Sequence, residues 1–442
     1  MRTLFALSAL CLSLGCGVLR PNAQAPADAA AHWPQWRGPQ GNGVAAQANP
    51  PTEWGEGQNV RWKVEVPGKG HASPIVWGDQ VVVLTAVPAP DAAAPTIEGE
   101  SWRRGFRPAG DMQFIVISYD RKSGAERWRR VVRQATPHEG THLDATWASG
   151  SALTDGRRIY AYFGSFGLYC LDMAGEPVWE VDLGDMQTRA SFGEGASPAL
   201  YGNTLVINWD HEGPSFIVAL DKRTGKELWR QERDERTSWG TPLIVEVDGR
   251  PQVITNGTTR MRGYDLETGE TVWQSGGMTT NTIPTPLFED GVAFMTSGFR
   301  GNALHAIRLA GASGELTDTD AVLWTYERDT PYVPSPLLYG GRLYFLKSNN
   351  GILTCLDSKT GEVVYGPQRL EGVKGFYASP VGAAGRVYLA GREGVTLVLK
   401  EGPEFEVLAA NSLDDGFDAS PAAVGDALYL RGRQHLYCIA AD

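Results

Sequence analysis

Leu220-Asp221-Lys222-Arg223-Thr224-Gly225-Lys226-Glu227-Leu228-Trp229 is the stretch whose reading decides the fold. An apolar run ends in Leu-Asp, a Gly closes a tight turn, and a large aromatic stands four residues further on. Asp and Thr favour turn entry because their side chains bond to the nearby backbone, and Gly supplies the positive φ that such a turn needs. The same grammar recurs at Tyr119-Asp120, Gly124 and Trp128, and at Leu171-Asp172, Gly175 and Trp179. It returns at Tyr264-Asp265, Gly269 and Trp273, and at Leu356-Asp357, Gly361 and Tyr365. Trp324 takes the aromatic part in the fifth repeat, after an insertion at 309–320.

Upstream of each turn lies an anchor, a small hydroxyl residue usually followed by Pro, that opens an apolar strand. The anchors are Ser73, Ser149, Ser197, Thr241, Thr285, Ser335, Ser379 and Ser420. Consecutive anchors lie 41 to 50 residues apart, except for 76 between the first two. A period near 45 residues is that of a four-stranded propeller blade. Short strands at this spacing bury a face only when stacked side by side, and the recurring Trp is read as a wedge between blades. The eighth repeat reaches 434–440 without a fourth strand, whereas 60–66 offers a spare alternating strand with Trp62 in the wedge position. The expected fold is all-β, an eight-bladed propeller of four-stranded antiparallel blades closed by the N-terminal strand.

The repeat resembles the pyrroloquinoline-quinone (PQQ)-like β-propeller family over about residues 60–442. Trp33-Pro34-Gln35-Trp36-Arg37-Gly38-Pro39 resembles the segment that precedes such propellers in secreted proteins of uncertain function. The family includes quinoprotein dehydrogenases and, more distantly from this chain, the propeller lipoprotein of the outer-membrane β-barrel assembly machinery. The resemblance implies the fold and leaves the function to be argued from sites.

Composition sets outer bounds. The chain has 442 residues and a net charge of −11, with 53 Gly and 14 Trp. Gly is thus about 12%, against a usual ~7%. An acidic chain has no general attraction for phosphate backbones, so no nucleic-acid partner is expected. Arg2 followed by an apolar run from Leu4 to Leu14 reads as a secretory signal, too short to span a bilayer. Ala23-Gln24-Ala25 fits a cleavage site, and Gly15-Cys16 fits a lipobox in which Cys16 would carry lipid. The organisation is a signal peptide at 1–25, or 1–15 for a lipoprotein, then a leader at 26–59 and the propeller at 60–442. The expected location is outside the cytoplasm, in the periplasm or beyond the cell, with membrane contact only through that lipid. Cys170, Cys355 and Cys438 occupy look-alike strand positions in different repeats and read as small buried hydrophobes.

The chemistry-bearing residues are sparse. The innermost strand starts at each anchor, so residues just before it crowd the axis at one face: His71, Trp147, Glu194, Trp239, Asn281, Tyr332, Phe376, Tyr377 and Asp418. Aromatics mixed with a few polar groups describe a surface for a small ligand or a peptide. His138-Glu139-Gly140-Thr141-His142 matches H-E-x-x-H, but Gly140 and the lack of helical periodicity argue against a zinc-protease helix. The remaining readings there are solvated loop histidines and a non-catalytic metal or polar contact at His138, His142 and Asp144. Asn208-Trp209-Asp210-His211-Glu212-Gly213 reads as a polar loop facing water, and Gly298-Phe299-Arg300-Gly301 as turn chemistry. The insertion at 88–112 begins Pro88-Ala89-Pro90 and reads as unable to hold a strand through Pro95. Its Trp102-Arg103-Arg104 segment is a candidate for binding a partner or covering the funnel.

The resemblance implies a quinone with calcium in the funnel under an adjacent Cys-Cys ring. This sequence has no adjacent cysteines and no tight acidic cluster for calcium. The expected function is therefore an exported, non-enzymatic scaffold for protein or peptide partners with no cofactor. The alternative is an oxidoreductase using PQQ and calcium.

Overall fold

The computed structural model describes residues 29–441; the signal segment and Cys16 lie outside them. Eight sheets follow one another along the chain, each with four antiparallel strands, and a small three-stranded sheet accompanies them. Blade three is representative: Ala199–Tyr201, Thr204–Trp209, Ser215–Asp221 and Glu227–Arg233 run from the axis outward. Blade eight is built from both ends of the chain. Val60–Glu65 pairs antiparallel with His435–Ala440, with Trp62 opposite Cys438, and Val66 N–H donates to the Gln434 carbonyl at 2.9 Å.

The anchors do more than open strands. Ser73 N–H donates to Ser151 Oγ, Ser151 N–H to Ser197 Oγ and Ser197 N–H to Thr241 Oγ1, each at 2.9 Å. Thr285, Ser335 and Ser379 continue the pattern to Ser335, Ser379 and Ser420 at 2.9–3.0 Å. Between blades four and five the bond is of another kind, Thr285 Oγ1 donating to the Thr241 carbonyl at 2.6 Å. In blade two the anchor is Ser151, not Ser149: Ser149 instead serves its own loop, accepting from Thr146 N–H at 3.2 Å.

The wedge reading holds in detail. The Trp62, Trp128, Trp179, Trp229 and Trp324 rings each lie against the turn Gly of the next blade, at Gly124, Gly175, Gly225, Gly269 and Gly361. At Gly225, with φ of 71°, a Cβ would stand 2.8 Å from the Trp179 ring, so only Gly admits the contact. Four of the indoles also donate to a carbonyl of that turn, as Trp229 Nε1 does to Leu266 at 2.8 Å. Trp273 departs from the rule. Blade five carries the 309–320 insertion in place of the turn, so Trp273 Nε1 bonds Gln252 Oε1 within its own blade at 3.1 Å. The insertion returns as Gly314–Glu315, a parallel fifth strand on Thr271–Ser275.

Two expectations are corrected. The first insertion does hold strands: Ala93–Glu98 and Gly105–Ala109 form a hairpin that pairs on to Thr141–His142. Ala93–Glu98 is an edge strand and its pairing skips Pro95, which is how an edge accommodates proline. The segment from Asn208 to His211 is buried, not solvated. Arg233 reaches Asp210 through Nε at 2.7 Å and Nη2 at 3.0 Å, with neither side chain exposed, and Ser238 Oγ donates to the same carboxylate. This two-point pair stands against the desolvation of both charges. Cys170, Cys355 and Cys438 are free, buried and in separate blades.

Trp229→Ala removes a wedge and its hydrogen bond together. The expected loss is about 3–5 kcal/mol of unfolding free energy, read from denaturant midpoints; a loss below about 1 kcal/mol would contradict the wedge role.

Candidate functional site

The segments before the anchors converge on one face, where they surround a funnel of about 690 Å³. His71, Glu194, Trp239, Asn281, Tyr332, Tyr377 and Asp418 line it. Phe376 does not: it is 0% exposed and packs in the core with Leu346, Val387 and Leu389. Adjacent strand-entry residues point opposite ways, and Tyr377 takes the axial direction. Trp147 lies beside the funnel in a smaller pocket, its Nε1 donating to the Glu139 carbonyl at 3.1 Å.

The floor is supplied by the leader. Trp33 pairs with Val76 and extends the inner edge of blade one, and Pro34 accepts from Thr154 N–H of blade two at 2.8 Å. Arg37 is 2% exposed and its Nη2 donates to the carbonyls of Pro336 and Asn42. Ala45 and Asn49 then donate to Gly382 and Gly425, tying the leader to blades seven and eight. Trp36 lines the funnel and also a second cavity of about 1000 Å³ on the opposite face, so its indole stands between them. The roof comes from the first insertion: Trp102, 54% exposed, leans edge-on toward Phe192 at 6.0 Å and lines the mouth.

One wall is ionic. Arg392 bonds Asp418 through Nε and Asp144 through Nη2, both at 2.6 Å, and lies 4.0 Å over the Tyr377 ring. Arg433 Nε donates to the other oxygen of Asp418 at 2.9 Å, and Tyr377 OH donates to Asp144 at 3.0 Å. Burial pushes the Asp418 carboxyl up, but His71 and the two guanidiniums outweigh it and hold it below its ordinary value. Burial lowers His71 to about 4, so its ring is neutral at pH 7. The opposite wall is aromatic, with Phe299 stacked on Tyr332 at 4.7 Å.

Glu194 sits apart from both. Its carboxyl accepts Ser165 N–H at 2.8 Å and Ser165 Oγ at 2.6 Å, and burial raises it to about 7. Gly164 makes that seat, because any Cβ there would overlap the Glu194 carboxyl. The proposed metal residues are only partly gathered. His142 and Asp144 stand 3.6 Å apart at the rim, whereas His138 bonds the Met186 carbonyl at 2.7 Å. Glu139 between them faces Thr188, whose N–H it accepts at 3.1 Å. The motif is a loop and a two-residue strand, not a helix. Among the described residues no group of three or more His, Cys, Asp or Glu is placed to hold a metal.

Sequence reasoning missed Trp36, Arg189, Phe192, Phe299, Arg300 and Arg392. All but Arg392 line the funnel. Arg392 belongs to the turn after the second strand of blade seven, at a distance from its anchor that no repeat count marks. Phe299-Arg300, read as turn chemistry, is a turn whose side chains reach the axis.

The class this geometry defines is a closed β-propeller with a funnel open at one face, floored by its own leader. The family model described as outer membrane protein assembly factor BamB matches residues 112–364 and 213–442, and the chain belongs to that PQQ-like β-propeller family. A BamB of Francisella salina is 26% identical over 202 residues, covering 40% of this chain and 37% of that protein. One from Burkholderia pseudomallei (strain K96243) is 21% identical over 304 residues, covering 66% and 65%. The chain thus spans less than two thirds of the length of either. The BamB structure of Moraxella catarrhalis matches 80% of this chain and 100% of its own at 15% identity, with a TM-score of 0.53. Quinohemoprotein alcohol dehydrogenase of Comamonas testosteroni matches 95% and 82% at 12% identity, with a TM-score of 0.58. At these identities the structures show the shared fold.

Glu194 gives the site a pH signature. Its folded value near 7 exceeds its ordinary 4.5, so its contribution favours the fold at low pH and is lost as pH rises through about 7. Wild type should lose more stability between pH 5 and pH 8 than Glu194→Gln, read as urea midpoints. Parallel pH profiles would contradict the raised value.

Proposed function

We propose that this chain is an exported, non-enzymatic propeller that serves as a binding scaffold in cell-envelope assembly. The observation that carries the reading is the state of the funnel carboxylates. Asp144 and Asp418 are spent on Arg392 and Arg433, and Glu194 is bonded to Ser165. Calcium asks for six to eight oxygen ligands, and guanidinium groups against the same carboxylates oppose a cation. The residues present do not fit the calcium and quinone pair of the dehydrogenases, and the adjacent cysteines that would cover a quinone are not in the sequence. Family membership supports the scaffold reading: the curated relatives carry the name outer membrane protein assembly factor. Eight blades, five of them wedged by Trp against the next blade's turn Gly, give a rigid ring on which loops and the insertion hairpin present surface to protein partners. The acidic signal-bearing chain suits a compartment outside the cytoplasm, and Cys16 is the proposed lipid acceptor. Among the described residues no helix is long and apolar enough to cross a membrane.

Loss of the chain from its own host should lower the amount of folded β-barrel protein in the outer membrane, measured as heat-modifiable species. The wild-type chain should restore it, and Cys16→Ser should restore it less and move the protein to the soluble fraction. Unchanged barrel levels on deletion, or recovery of unprocessed chain in the cytosol, would overturn the proposal.

A further inference from the structure

The aromatic wall of the funnel holds two cations that nothing neutralises. No side-chain hydrogen bond or ion pair of Arg189 or Arg300 exists among the described residues, in contrast to Arg392 and Arg433. Both flank one platform. Arg300 stands 5.3 Å from the Phe299 ring centre, Phe299 stacks on Tyr332, and the Arg189 charge acts on the Tyr332 phenol. Asn281 joins them. One end of its amide meets Tyr332 OH at 3.5 Å, and the other end is buried without a partner. A buried polar atom left unpaired has a cost that a ligand can remove. The backbone here is also held against preference. Ala190, Ser191, Asn281 and Arg300 all have φ between 52° and 57°, and such outliers persist where a site fixes them.

We propose that this sector of the funnel binds an acidic saccharide: Arg189 and Arg300 take its carboxylate or sulfate, Phe299 and Tyr332 take a ring face, and Asn281 takes a hydroxyl. The unpaired amide end favours a hydroxyl, which donates or accepts as that end requires. Guanidinium forks match carboxylate and sulfate oxygens, and aromatic faces pack on the C–H face of a sugar. A peptide would instead seek backbone donors along a strand edge. Six of the eight anchor amides nearest the axis are already taken by hydroxyls of the neighbouring blades. The funnel volume of about 690 Å³ lies within the ordinary range for a small-ligand site.

Calorimetric titration of the full chain with tri-galacturonate and with a sulfated trisaccharide tests the site. At least one should bind saturably, more weakly as salt rises, and neutral galactotriose should bind at least about tenfold more weakly. Arg189→Ala and Arg300→Ala should each weaken binding about tenfold or more with an unchanged melting temperature. Saturation by neither acidic sugar overturns the proposal, as does equal affinity for galactotriose or indifference to both arginine changes. Triglutamate binding as tightly, with the same arginine dependence, would assign the site to peptides instead. Barrel levels in the host do not enter this titration, so the scaffold reading and the saccharide site fail separately.

Discussion

At six of the eight steps around the ring a blade begins with a backbone N–H handed to the hydroxyl of the next blade's anchor, and the ring depends on those bonds. Each requires a short side chain with an oxygen at one position in the repeat, which is why Ser or Thr recurs there. Proline follows comfortably because the first residue of an inner strand needs no ladder donor. The bond fixes neighbouring blades at their narrow end, while the Trp wedge and turn Gly fix them further out. Where both are present, the polar contact and the apolar one together set the angle between sheets. Everything before the anchor is then thrown to one face, and the funnel is the result.

That face would be the mouth of an open channel without the leader. Trp33 continues a strand edge, Arg37 is held by carbonyls from both sides, and Trp36 is left across the axis. Burial lowers the Arg37 guanidinium to about 9, and its Nε and Nη1 have no partner. A buried cation seated so closely is consistent with a leader that belongs to the folded ring. The funnel that remains is divided by charge. The Arg392 side is self-satisfied and rigid. The Arg300 side keeps its polar groups open, so ligand selection falls there.

The fold was legible because the repeat is. Period, anchor, turn Gly and wedge each specify one feature, and the spare strand at 60–66 answers the missing one at the C-terminus. The site was legible only where it follows the anchor count. His71, Glu194, Trp239, Asn281, Tyr332, Tyr377 and Asp418 were placed by counting back from the anchors, and Phe376 failed because side chains alternate about a strand entry. Arg189, Phe299 and Arg300 come from loops whose reach is set by three-dimensional closure, which periodicity does not encode. Asp210 misled for a related reason: a polar run looks solvated unless its partner is known, and Arg233 arrives from the next strand but one.

The most direct test of the central claim is the native mass and absorbance spectrum of the protein exported by its own host. A funnel whose carboxylates are spent on its own arginines and on Ser165 predicts the mass of the processed chain, with its lipid where Cys16 is modified. It predicts no quinone absorbance and no stoichiometric calcium. A bound quinone, or a mass excess matching one with calcium, would contradict the account and make the funnel a redox site.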